Sequence, residues 1–209
     1  AIDAAIAAVF ASFVAESTMT SIGGGGIALI GDIRTNKAQV YDFFVDMPST
    51  PPHPNMDFHP VTSDYGPAQD LLYIGRASSA VPGIVPGLAA LAAEHGTLPL
   101  SALVAPAIRI AKNGVELSPS QEYVLDFLQP IFEDSDEVNA ILNKRDGTDW
   151  KAGEKNRFPA LAKDLTQLAE DGPLSFQTGS IAQAIIADQT VHGDLVTAAD
   201  LANYQVRLL

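Results

Sequence analysis

Thr18-Met19-Thr20-Ser21-Ile22-Gly23-Gly24-Gly25-Gly26-Ile27-Ala28-Leu29-Ile30 is the stretch on which the fold turns. Before it, residues 1–16 (AIDAAIAAVFASFVAE) are Ala-rich with Ile, Val and Phe on every side, interrupted only by Asp3, Ser12 and Glu16. That composition predicts a helix buried on all faces. It begins without a capping residue, as though cut from something longer. After the stretch, residues 27–30 and 40–44 are β-rich runs separated by the polar loop 31–37, which predicts a hairpin. The four glycines therefore lie in a passage from helix to strand. Phosphate loops run the opposite way, from strand to helix, and a Walker loop ends in Gly-Lys-Ser/Thr. The run here fits neither pattern, and it has no Lys. Such glycines let the backbone come close to something, substrate or another strand.

Outward from the hairpin, residues 46–75 hold six prolines and little periodicity, which predicts a long irregular excursion. From Pro82 the chain turns helical. Residues 87–95 form an Ala/Leu helix ending at Gly96, and residues 102–113 a second ending at Gly114. Ser118-Pro119-Ser120-Gln121 opens a third, with Ser at N-cap, Pro at N1 and Gln at N3. A short helix is expected over 136–143, before the Asp146-Gly147 turn. Leu161, Leu165 and Leu168 recur at i, i+4 and i+7, and Gly172-Pro173 stops that helix. Ile181, Ala184 and Ile185 mark another, and Thr197 to Asp200 caps a last short one. One hairpin and one wholly buried helix need covering layers that these elements do not supply, so a part of a larger polypeptide is expected.

Composition removes several function classes. The 209 residues carry 12 Lys+Arg against 25 Asp+Glu, a formal charge of −13, which excludes phosphate-driven nucleic-acid binding. No cysteine is present, so disulfides and Cys-ligated zinc are excluded. Residues 77–93 contain Pro82 and Pro86 and do not make a membrane span, which needs about 20 apolar residues.

The local candidates for chemistry each have a plainer reading. His53 and His59 with Asp57 match no ligand spacing and predict a solvated loop rather than a metal site. His95 and His192 precede glycines at helix ends, where they complement the dipole. Glu133, Asp134, Asp136 and Glu137, and Asp146-Gly147-Thr148-Asp149, lack the full pattern of a calcium loop and predict solvated surface. No Gly-x-Ser-x-Gly elbow and no Ser-x-x-Lys occurs. No complete catalytic site is expected within these residues.

Six segments, in order along the whole chain, carry a resemblance. Asp3-Ala4-Ala5-Ile6-Ala7-Ala8 is similar to VDAAVA, and Ser21 to Ile30 to GIGGGGFALV. Ala80-Val81-Pro82-Gly83 with Gly87, then His95-Gly96-Thr97-Leu98-Pro99, are similar to AVPGxxxGL and YGTLP. Residues 105–114 match PAIxLAxxG, and 195–204 resemble LLTxEDLAxY. These are segments of the large subunit of the γ-glutamyltranspeptidase family. The resemblance implies an α+β fold, part of an αββα N-terminal-nucleophile sandwich, mostly helical over residues 82–209 and with one N-terminal β-hairpin. It implies residues 1–209 as a single domain, an incomplete large subunit. The family's precursor cuts itself in two, and the new N-terminal Thr of the small subunit attacks a γ-glutamyl amide with its own α-amine as base. No catalytic residue, metal or other cofactor is then expected in this chain. The expected partners are that small subunit and a small γ-glutamyl or acyl amide. The compartment stays open between periplasmic or secreted, which the resemblance implies, and cytoplasmic.

One departure bears on substrate. The family's Asp-Phe-Arg-Glu-x-x-Pro carries an Arg for the α-carboxylate of the γ-glutamyl group, and the aligned residues are Asp42-Phe43-Phe44-Val45-Asp46-Met47-Pro48. Phe44 cannot make the bidentate pair. It suits an acyl group without that carboxylate, as in cephalosporin-type acylases, unless another Arg such as Arg76 substitutes. A non-catalytic helical scaffold is the different-class alternative.

Overall fold

The computed structural model describes residues 1–136, 138–139, 144, 148–192 and 195–209. The opening helix α1 (Ile2–Ala15) buries Ile6, Phe10, Phe13 and Val14, a stripe at i, i+4, i+7 and i+8. Burial on every side is corrected: Ala4, Ala5 and Ala8 are exposed among the described residues. Alanine favours helix whether or not it is covered, so Ala-richness alone does not report burial. The hairpin is present as β1 (Gly26–Asp32) and β2 (Lys37–Phe43), antiparallel from Gly26↔Phe43 to Asp32↔Lys37.

Residues 46–75 are not irregular throughout. A second hairpin, β3 (His59–Asp64) and β4 (Gln69–Ile74), turns at Gly66, whose φ is +83° and whose N–H donates to Asp64 Oδ1 at 2.7 Å. It docks on α4 (Pro119–Phe132), where Ser63 Oγ donates to the Phe127 carbonyl at 3.0 Å and Tyr65 lies against the Phe127 ring. Contacts between segments far apart in sequence hold this hairpin, which is why local composition hid it and the expectation of a single hairpin falls short.

The rest is mostly helical, as expected: α2 (Ile84–His95), α3 (Leu100–Asn113), α4, α5 (Pro159–Asp171), α6 (Leu174–Gln177), α7 (Ser180–His192) and α8 (Ala198–Asn203). Capping boxes open α4 (Ser118 with Gln121) and α8 (Thr197 with Asp200). Three short strands also appear. β5 (Val115–Glu116) pairs with β6 (Lys155–Asn156), and β7 (Arg207–Leu208) adds to β2, giving the sheet order β1-β2-β7. Most of the expected helix over 136–143, the Asp146-Gly147 turn and Glu137 lie outside the described residues, as does Gly193 after His192.

The main core joins α1, α2, α3 and α5 to one face of this sheet through Phe10, Tyr41, Phe43, Leu88, Val104 and Leu165. A smaller cluster of Val81, Ala182, Val196, Leu201 and Tyr204 gathers α7 and α8 beside it. The other face of the sheet is largely exposed among the described residues. Ile27 and Leu29 alternate outward there with 66% and 69% of their surface exposed.

Candidate functional site

Phe44 stands one residue past the end of β2, where the β1–β2 ladder has stopped. Its backbone is nevertheless fixed on both sides. Its N–H donates to Asp42 Oδ1 at 3.0 Å, and its carbonyl accepts from the Tyr204 hydroxyl at 2.7 Å. Arg207 spans the segment, donating from Nε to Asp42 Oδ2 at 3.0 Å and from Nη1 to Asp46 Oδ1 at 2.7 Å. Asp46 is held in turn by a two-way backbone bridge to Val81, with N···O distances of 3.1 and 2.8 Å. Phe44 itself remains 56% exposed.

The glycine run explains how this segment is backed. A Cβ on Gly25 would lie 2.5 Å from Val45 N and 2.9 Å from both Phe43 O and Phe44 C. One on Gly26 would lie 2.8 Å from the Phe43 ring. The run is therefore a close approach to another strand, β2, and none of its four glycines has a positive φ. The Gly24 carbonyl accepts from the N–H groups of Gly83 and Ile84 at 3.1 and 3.0 Å, which ties the run to the start of α2. Gly83 leaves no room for a side chain either, because Tyr204 Oη and Phe43 O occupy that space. Beyond the run, Ser12, Thr18, Thr20, Ser21 and Gly25 edge a cleft of about 570 Å³ at the end of α1.

The electrostatics of the segment follow from these contacts. The Arg207 hydrogen bond, with the Phe44 N–H, holds the Asp42 carboxyl below its ordinary range. Asp46 and Asp42 together push Arg207 upward. Burial, then the Asp46 charge, pushes the Tyr204 phenol up to about 12, so at neutral pH it is a hydrogen-bond donor to the Phe44 carbonyl. Two carboxylates against one guanidinium leave the cluster one negative charge in excess.

The other candidates fall elsewhere. Arg76 is engaged with α7, its Nε 3.5 Å from Asp188 Oδ2, and among the described residues it is Arg207 that reaches the Phe44 segment. His95 ends α2, as its dipole role requires, and its Nε2 lies 2.6 Å from the Tyr41 hydroxyl. His59 is not a free loop residue: its Nε2 is 2.7 Å from Asp134 Oδ1 and its Nδ1 3.4 Å from Asp57, and the Asp134 contact raises its pKa. Among the described residues no three His, Cys, Asp or Glu side chains gather in a metal-binding group, and no helix is long and apolar enough to cross a membrane. Tyr204 and Arg207 went unsingled in the sequence. Their only signal was that Tyr204 closes the Leu-Ala-x-Tyr segment of the resemblance.

Comparison with known proteins identifies the family and the fold. The family model described as Gamma-glutamyltranspeptidase matches residues 1–209. The glutathione hydrolase proenzyme of Escherichia coli (strain K12) is 30% identical over 207 residues, covering 98% of this chain and 34% of that protein. The Acylase ACY 1 proenzyme of Pseudomonas sp. (strain V22) is 29% identical over 214 residues, covering 100% and 37%. The crystal structure of Helicobacter pylori gamma-glutamyltranspeptidase superimposes with a TM-score of 0.86 at 30% identity, covering all of this chain and 58% of that one. The chain thus spans about a third of the length of the curated relatives it matches.

Proposed function

The chain belongs to the gamma-glutamyltranspeptidase family, and we propose that it is the large-subunit portion of a self-processing amidase of that family whose acyl preference has moved away from γ-glutamyl. The observation that carries the reading is Phe44, exposed at the position where the resemblance places the carboxylate-binding Arg, beside a cluster that is one negative charge in excess. An apolar ring and net negative charge both disfavour a carboxylate-bearing acyl group. Arg207 does not restore the missing pair, because its fork is already committed to Asp42 and Asp46.

The small subunit supplies the nucleophile in this reading. Its N-terminal Thr hydroxyl attacks the amide carbonyl, its α-amine takes the proton and returns it to the departing amine, and water or an amino acid then accepts the acyl group. The proenzyme names of the Escherichia coli and Pseudomonas relatives support processing, and the acylase relative supports a non-γ-glutamyl acyl group. The largely exposed sheet face carrying Ile27 and Leu29 suits a second layer from that subunit.

The glutathione hydrolase relatives favour a second reading, γ-glutamyl turnover itself. Matched γ-glutamyl and neutral-acyl anilides on the processed full-length enzyme decide between them. The neutral acyl is expected to win, and Phe44→Arg to swing the ratio toward γ-glutamyl by roughly 30- to 1000-fold, the worth of a charged partner (about 2–4 kcal/mol). Strong γ-glutamyl turnover that Phe44→Arg leaves unchanged overturns the proposal. Intact-mass analysis checks the subunit arrangement, with a second chain beginning at Thr expected.

A further inference from the structure

Residues just past the end of a strand have lost their ladder partners, and an exposed aromatic there ordinarily rides on a loose backbone. Phe44 does not. Its N–H and carbonyl are both taken by side chains, and Gly25 runs so near its carbonyl carbon that no Cβ fits between them. The two side chains are themselves fixed. Asp42 is bonded to Arg207, and Tyr204 is 5% exposed, packed over Gly83 where no Cβ fits. Immobile groups thus surround a backbone whose ring faces outward.

From this geometry we infer that Tyr204 is a positioning residue for acyl selectivity: its hydroxyl, bonded to the Phe44 carbonyl, fixes the place from which the Phe44 ring meets the acyl group. The inference rests on the reading of Phe44 given above and extends it to the C-terminal segment, α8 to β7. A backbone held at both its N–H and its carbonyl presents the ring from one point, whereas the same ring on a mobile strand end offers only apolar surface. Asp42 and Arg207 hold the N–H side of the same residue. Tyr204 closes the carbonyl side, and it alone does so through a single removable atom.

Tyr204→Phe deletes that hydroxyl and keeps the ring over Gly83. In the processed full-length enzyme, KM for a neutral aryl-acyl anilide is expected to rise about fivefold, the size of one hydrogen bond, with kcat within about twofold. In a Phe44→Ala background the same substitution is expected to change nothing further, since the residue it acts through is gone. An equal loss in both backgrounds makes Tyr204 merely structural and overturns the inference, as does no loss in either. A fluorine label on the Phe44 ring gives a readout that needs no substrate. One sharp resonance is expected, shifted or broadened by Tyr204→Phe; an unmoved resonance overturns the clamp. Phe44→Ala alone separates the two claims: an unchanged ratio of neutral-acyl to γ-glutamyl turnover sinks the Phe44 reading, and the inference with it, whereas a changed ratio with additive Tyr204→Phe effects sinks the inference only.

Discussion

Gly25→Ala is the most informative single change in the frame. The new methyl would meet Val45 N at 2.5 Å and the Phe43 and Phe44 backbone at 2.9 Å, with no flexible side chain among the three to give way. Ordinary contact begins near 3.4 Å, so the glycine run and the end of β2 must separate by roughly 0.9 Å. Overpacking of this kind costs about 1–3 kcal/mol. The lower entropy of the unfolded alanine chain returns about 0.4–1 kcal/mol, leaving a mid-range loss of about 1.3 kcal/mol. For a protein of this size that lowers the thermal midpoint by about 3–5 °C. The run contains its own controls. A Cβ on Gly23 meets only Ser21 Oγ at 3.8 Å, and one on Gly24 meets Ser21 O at 3.4 Å. Gly23→Ala and Gly24→Ala should therefore keep that entropic gain and be as stable as the parent or more so, by up to about 1 kcal/mol. Thermal unfolding of the three variants side by side is the assay. A Gly25→Ala midpoint level with that of Gly23→Ala would refute close approach as the reason for the run.

Three further outcomes are expected. The His59 imidazole should titrate above its ordinary 6.5 because Asp134 stabilises its charged form, so the hairpin's attachment is complete below that pH and weakens as pH rises through the raised value; Asp134→Asn should bring the NMR titration midpoint back down. Burial, followed by the Glu94 carboxylate, pushes the Tyr41 phenol up to about 12, and Tyr204 matches it. The unfolded chain then ionises first, so stability should fall between pH 10 and 12, and an absorbance titration should show two late phenols, one of them lost in Tyr41→Phe. Ser118→Ala removes the acceptor for the Gln121 N–H at the start of α4 and should cost about 1 kcal/mol in chemical denaturation, more than the same change at Ser120.

Periodicity and capping were the legible part of the fold. The β1–β2 hairpin, the helix ends at Gly96, Gly114 and Gly172, and the boxes at Ser118 and Thr197 all rest on neighbours within a few positions, and sequence carries that information directly. The β3–β4 hairpin rests on Ser63 and Tyr65 meeting Phe127, more than sixty positions away. β7 is two residues long and exists only because β2 offers it an edge. Phe44 was legible as a departure in type. Its setting was not, since Tyr204 and Arg207 come from 160 and 165 positions beyond their partners Phe44 and Asp42.

The segments through which the chain resembles its family turn out to touch one another. Asp3 accepts from the N–H and hydroxyl of Thr97, joining the first segment to the fourth at the end of α2. Gly24 accepts from Gly83, joining the second to the third. Tyr204, from the last, closes over Gly83 and binds the Phe44 carbonyl. None of these contacts reads the side chain at position 44: each engages backbone, or fills space that only glycine vacates. Replacing any of them misplaces the frame, at a cost in stability. Replacing Phe44 alters an exposed ring and leaves every one of those contacts in place. The features that make the family recognisable are thus physically separate from the side chain proposed to meet the acyl group. Membership fixes where residue 44 stands, and under the proposed reading the residue standing there decides which acyl group it meets.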